Sequence, residues 1–155
     1  MTVYCPALET SLGLRGWAST GVSDVARQVK LSLEKSLEHY LETRLELLLP
    51  EIENLHNVPG ETSIAVDLET IRAATEFAYS LPRLGPMPEV SADPDGEISF
   101  DWAGPSGEMF SVGVNKQHRL AYAGWFGERS RIHGIEQLAE GCPQQIVRGI
   151  EKAIR

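Results

Sequence analysis

The fold is decided by residues 97–127, which read EISFDWAGPSGEMFSVGVNKQHRLAYAGWFG. In three short runs of this stretch, bulky apolar residues alternate with small or polar ones. The bulky set is Ile98, Phe100, Trp102, Phe110, Val112, Val114, Leu120, Tyr122 and Phe126. A period of two is typical of β-strands that bury one face, and the Gly-Pro-Ser-Gly and Asn-Lys-Gln-His segments between the runs are typical turns. The pattern predicts an antiparallel meander of three to four strands over residues 88–126, with the fourth strand near Glu89–Ser91.

The second face of that meander carries small residues. They are Ser99, Ser111, Gly113, Ala121 and Ala123. Small side chains allow another backbone to come close. We expect the long helix of this chain to cover the face, with a partner protein as the alternative.

Helices are predicted before and after the meander in the sequence. Val29, Leu33, Leu37, Leu41 and Leu45 recur at every fourth position, which indicates a long amphipathic helix over residues 23–55. Pro50 should bend this helix or begin a second short one. Further apolar periods predict a helix over 67–81 and a C-terminal helix over 143–155 that packs on the sheet. The class is α+β: residues 1–22 are expected to form an irregular arm, and residues 23–155 a single domain.

Composition narrows the choice of partner. The chain has 155 residues and a net charge of −8, which disfavours direct nucleic-acid binding because phosphate neutralisation needs clustered Lys and Arg. The longest strongly apolar patch surrounds Leu47–Leu49, far shorter than a membrane span. The first residues show no signal-peptide pattern, and two distant cysteines, Cys5 and Cys142, make no disulfide framework. We expect a cytoplasmic protein without membrane contact.

A row of glutamates runs beside the leucine row of the long helix. Glu34, Glu38, Glu42 and Glu46 also recur at every fourth position. Like charges four residues apart repel slightly in a helix, so the row is either a solvated face or a binding strip for a basic protein surface. We predict a protein-binding site made of these glutamates and of Leu37, Leu41 and Leu45. A homodimer through the long helix is a further expectation.

Candidate chemistry is sparse. Asp93-Pro94-Asp95-Gly96 resembles part of a calcium loop, but Ser91 and Trp102 occupy the first and last ligand positions, so a hairpin turn accounts for the motif. The four histidines lack metal-ligand spacing, and Ser106 lacks the setting of a nucleophile. Cys142 precedes Pro143 near a helix start, a position that could lower its pKa, but we expect a structural cysteine near the core. We therefore predict no catalytic residues, no metal site and no cofactor.

The segment 127–134 is the best candidate for anion binding. It contains Arg129, Arg131 and His133, which we expect to lie in a loop beside the sheet. Arginine pairs well with carboxylates and phosphates. A small enzyme or ligand-binding module using this site, with Asp101 or Glu128 as acid or base, is the alternative function. A solvated loop is the other interpretation.

From about Ala74 onward the chain also carries a set of longer motifs. They are Pro88-Glu89-Val90, Asp93-Pro94-Asp95-Gly96-Glu97-Ile98-Ser99-Phe100-Asp101-Trp102, Arg119-Leu120-Ala121-Tyr122-Ala123-Gly124-Trp125-Phe126-Gly127, and His133-Gly134. In these motifs the chain resembles a group of small, functionally uncharacterised bacterial proteins, while the long acidic helix is additional. The resemblance implies a bacterial or bacteriophage origin and a small α+β module, and it transfers no catalytic residues.

The sequence thus favours a non-catalytic regulatory or binding protein of bacteria or their mobile elements. Such a protein would act by occluding or organising a partner, as an antitoxin, a defence or anti-defence protein or a small complex subunit does. The acidic helix would be its binding element.

Overall fold

The computed structural model describes residues 12–57, 65–83 and 85–155, with side chains from residue 23 onward. Its helices are α1 (Leu12–Asn54), followed by a 3-10 turn (Leu55–Asn57), α2 (Leu68–Ser80) and α3 (Gln144–Ala153). Its strands are β1 (Glu89–Ala92), β2 (Ile98–Ala103), β3 (Met109–Val114), β4 (Arg119–Trp125) and β5 (Arg131–Gln137). The contacts within the chain divide it into two compact units, Met1–Tyr40 and Leu41–Arg155, and the boundary between them falls inside α1.

The five strands form one antiparallel sheet in the order β1-β2-β3-β4-β5. The Asp93–Glu97 hairpin turn is the one predicted: the Asp93 amide donates to the Glu97 carbonyl at 2.8 Å, and Gly96 adopts a φ of 85°. The expected α+β class, helices and meander are confirmed.

The strand count is higher than predicted, and the loop predicted for residues 127–134 is correct only for residues 127–130, which form a turn. Arg131 and His133 lie on β5, a fifth strand paired with β4, and not in a loop. The interior Gly134 disguised this strand, because glycine weakens a strand pattern. Gly134 is needed there: it lies opposite Tyr122 in the register, and a Cβ atom at position 134 would collide with the Tyr122 ring.

The core lies between the bulky face of the sheet and the helices of the second unit. Phe77 of α2 meets Phe100 edge-on, with ring centroids 5.0 Å apart. Helix α3 buries Ile146 and Ile150, and its Gly149 lets the helix approach the Phe110 ring. Because α2 and α3 use the bulky face, the second face has no covering element among the described residues of this unit; Trp125 and Ile135 there are 41% and 62% exposed.

Helix α1 differs from the prediction at its start and middle. Residues 1–11 of the expected arm lie outside the described residues, but residues 12–22 are helical, so the arm was wrong for that part. Extending an existing helix adds one hydrogen bond for each residue fixed, which offsets the poor propensity of the local glycines. Pro50 lies inside α1, so it does not begin a separate helix. The expected single domain from residue 23 also differs from the observed boundary at Tyr40–Leu41.

The leucine row has two environments. In the first unit, every described side chain from Ser23 to Ser36 is exposed, including Val25, Val29 and Leu33 at 60%, 53% and 65%. In the second unit, Leu48 and Ile52 are fully buried in the core. Among the described residues, no helix is long and apolar enough to cross a membrane.

Candidate functional site

The predicted glutamates fall in both units of α1. Glu34 and Glu38 belong to the first unit and Glu42 and Glu46 to the second, and all four are exposed. Glu34 is 3.8 Å from the ammonium of Lys30, an exposed i, i+4 pair that offsets part of its charge. Of the predicted leucines, Leu37 lies in the first unit, whereas Leu41 and Leu45 are half-buried in the second.

In the second unit, an open groove of about 510 Å³ runs between the end of α1 and α2. Its lining is Glu42, Leu45, Glu46, Leu49, Pro50, Glu53 and Tyr79. We call it the acid-rimmed groove, because three carboxylates flank an apolar floor and none of the described residues in its lining is Lys, Arg or His. Tyr79 is 61% exposed although its side chain is large and largely apolar.

Arg44, the arginine nearest to the predicted glutamates in the sequence, is engaged elsewhere. The residue is only 6% exposed, and its guanidinium donates a hydrogen bond to the Pro82 carbonyl at 2.7 Å. Arg44 and Leu41 line a neighbouring concavity, which shares Leu45 and Tyr79 with the groove. Leu45 is the one predicted leucine that lines the groove.

Sequence reasoning missed Leu49, Pro50, Glu53 and Tyr79. Leu49 continues the row one turn after Leu45, and Glu53 lies seven residues after Glu46, so both were readable from the helical period. Tyr79 comes from α2, and only the packing of α2 beside α1 brings it to the groove.

The predicted anion-binding residues separate into two places. Arg131 and His133 lie two residues apart on β5 and therefore on one face of the sheet, whereas Arg129 lies in the turn before that strand. Arg131 and His133 help to line an open concavity of about 340 Å³ on the second face, and Arg129 does not. The remaining lining is Met109, Ser111, Ala123, Gly124, Trp125 and Ile132.

The cross-strand register explains why these side chains meet. Met109, Trp125 and Arg131 are directly opposite one another on β3, β4 and β5. Ser111, Ala123 and His133 form the next row on the same face. Directly opposite side chains have Cβ atoms about 5 Å apart, so each row forms a continuous strip across the three strands.

Asp101 lies beside these rows on β2, directly opposite Ser111. Its Oδ1 accepts hydrogen bonds from the Ser111 hydroxyl and, at 3.3 Å, from the Ser99 hydroxyl. Burial, together with the charges of Asp95, Asp101 and Glu97, raises the pKa of the nearby Asp93 carboxyl. No cluster that could hold a metal ion occurs among the described residues.

Cys142 lacks the setting of a reactive thiol. Burial raises the pKa of this thiol to about 11, against the smaller opposing effect of a hydrogen bond with Ser80. A thiol that keeps its proton at neutral pH is a poor nucleophile, so this cysteine has a packing role beside the core.

Comparison with known proteins adds no relative: no family model, no curated protein and no solved structure matches this chain.

Proposed function

We propose that this is a non-catalytic binding protein of bacteria or their phages that captures a basic segment of another protein in the acid-rimmed groove. The observation that supports the proposal is a partly exposed apolar floor bordered by Glu42, Glu46 and Glu53, with no cation among the described residues that line it. Apolar surface open to water is favourable to bury, and carboxylates at its border select positively charged partners. Capture would regulate the partner by occluding it, and the cytoplasm remains our proposed compartment.

The spacing of the carboxylates describes the partner. Glu42 and Glu53 are eleven residues apart on α1, or about 16 Å along a helix axis. A complementary segment would therefore carry Lys or Arg at intervals over roughly three helical turns, with apolar residues facing Leu45, Leu49 and Tyr79. An amphipathic basic helix meets these requirements.

Charge and apolar contact would have separable roles. The exposed carboxylates would mainly speed and orient association, and their effect would fall with added salt. The apolar floor would mainly slow dissociation and would respond little to salt. The net charge of −8 would attract a basic partner from a distance.

The test is calorimetric titration of the full chain with a synthetic amphipathic peptide of leucine and lysine. We expect binding at low salt, with affinity about tenfold lower in the triple variant Glu42→Gln, Glu46→Gln, Glu53→Gln. The double variant Glu34→Gln, Glu38→Gln is the matched control on the same helix and should change affinity less than about twofold. Tyr79→Ser should weaken binding at low and high salt alike.

Two results would contradict the proposal. One is an equal loss of peptide affinity in the triple and double variants. Such a result would indicate that the peptide is attracted by the overall charge and not by the groove. The other is equal binding of a peptide whose lysines are replaced by glutamates. Thermal melting of each variant verifies that the fold is retained.

We also infer that a second copy of the chain pairs with the first unit of α1, because Val25, Val29 and Leu33 form an exposed apolar row there. Helices owe most of their stability in proteins to packing of such a row. Sedimentation velocity should show a dimer that Leu33→Glu dissociates. A wild-type monomer at high protein concentration would refute this inference.

A further inference from the structure

We propose that the second face of the sheet binds a small planar aromatic acid in the concavity lined by Trp125, Arg131 and His133. This site shares no residue with the acid-rimmed groove and does not depend on the function proposed for it. The volume of about 340 Å³ lies near the lower end of small-molecule sites, which suits a ligand with one ring.

The acid-binding end lies on β5. Arg131 and His133 point to the same side of the sheet, and neither side chain has a hydrogen-bond or ion-pair partner among the described residues. An unpaired guanidinium offers two parallel N–H donors to a carboxylate, and the imidazole offers a further ring nitrogen.

The ring-binding part lies on β4 and β3. Trp125 is directly opposite Arg131, and Met109 is directly opposite Trp125. Trp125 is 41% exposed and Met109 is 52% exposed, so both residues offer contact area to a ligand. Indole and thioether groups make favourable contacts with aromatic rings. Ala123 in the next row is small and leaves space for the ring above the sheet.

The opposite end of the site lies at Ser111. Its hydroxyl donates to Asp101, so the oxygen lone pairs remain to accept a hydrogen bond from a ligand. The Asp101 carboxylate also repels an anion from this end, which directs the acid group of the ligand towards β5. Strands β3 and β5 are two strand spacings apart, about 10 Å, so the ligand would carry its donor on the ring position opposite the acid.

These features describe a para-substituted benzoate with an amino or hydroxyl group. The probe is therefore 4-aminobenzoate, titrated calorimetrically into the full chain. We expect a dissociation constant at or below about 1 mM. Benzoate, which lacks the donor, should bind about three- to tenfold more weakly, and inorganic phosphate, which lacks the ring, should compete poorly.

The chain supplies a matched pair of arginines. Arg131→Ala should weaken 4-aminobenzoate binding about tenfold or more, whereas Arg129→Ala, two residues away but outside the lining, should leave it unchanged. Ser111→Ala should lower the affinity for 4-aminobenzoate to the affinity for benzoate. In an NMR spectrum of the ¹⁵N-labelled chain, one indole N–H signal should shift as 4-aminobenzoate is added. The same signal should be absent from the spectrum of Trp125→Phe.

The proposal is overturned if no saturable binding occurs up to about 10 mM, well above the affinity expected of a ligand of this size. Equal losses in Arg129→Ala and Arg131→Ala would also overturn it, because they would indicate diffuse charge attraction. Phosphate competing as well as 4-aminobenzoate would refute the assigned role of Trp125. Unchanged thermal melting in each variant excludes unfolding as the cause of a loss.

Discussion

The two faces of the sheet are built from alternating residues of the same strands, yet they have opposite surroundings. Phe110 is fully buried under α3, while its neighbour Met109 is 52% exposed on the other side. The covered face is continuous with the core, and the second face combines small residues with Trp125, Arg131 and Ile135. The period of two assigns each residue to a face, but only the packing of the helices decides which face is closed.

The largest expected effect is on the covered face. Phe110→Ala should lower the free energy of unfolding by about 3–5 kcal/mol, because it removes a buried ring and leaves a cavity. The ring contacts Trp102, Tyr122 and Phe126, so the cavity cannot easily collapse. Urea denaturation measures the loss. A change below about 1 kcal/mol would show that α3 does not close this face as described.

A smaller effect is expected at Cys142, which packs beside the same core. The folded chain holds the thiol proton more tightly than the unfolded chain, with a pKa of about 11 against 9.0. The contribution of the thiol to stability is therefore complete below pH 9 and is lost as the pH rises through 11. In a Cys5→Ser background, the free energy of unfolding measured in urea should fall as the pH rises from 9 to 11. Cys142→Ala should remove the part of this fall that the thiol causes.

The same thiol permits a kinetic check. At pH 8, iodoacetamide should modify Cys142 roughly tenfold or more slowly in the folded chain than in urea, because the thiolate is scarcer. Equal rates would place Cys142 outside the covered side of the sheet.

The smallest effect is expected on the second face. Met109→Ala should change the free energy of unfolding by no more than about 0.5 kcal/mol, because the side chain is already half in water. It is the direct control for Phe110→Ala, one residue away and on the opposite face. A loss above about 2 kcal/mol would mean that another part of the protein or a second copy covers this face.

Much of the fold was predictable because local patterns encode it. The alternation of Ile98, Phe100 and Trp102 with polar residues predicted β2 and its buried face, and the Asp93–Glu97 segment predicted its turn. Strand β5 escaped prediction because Gly134 interrupts the pattern, and the reason for that glycine is the Tyr122 ring on the neighbouring strand. A contact between strands cannot be read from the period of one of them.

The candidate sites were predictable to a lesser degree. Glu42, Glu46 and Leu45 were identified from the helical period and do line the groove. Tyr79 belongs to a different helix, and Trp125 joins Arg131 only through the strand register. Tyr79 reaches the groove through the packing of α2 beside α1, and Trp125 meets Arg131 through the pairing of β4 with β5. A single sequence reveals neither of these long-range contacts.

The arrangement of the sheet also bears on how the chain reaches its folded state. Every strand pairs with the strand before or after it in the chain, and each of these pairs is antiparallel. Closing short loops costs little chain entropy, so each hairpin can form next to one already made without a search across the whole molecule. We expect the sheet to assemble progressively and quickly for a β-rich protein, with the slower step being the arrival of α3, which contacts strands that precede it by some twenty residues or more.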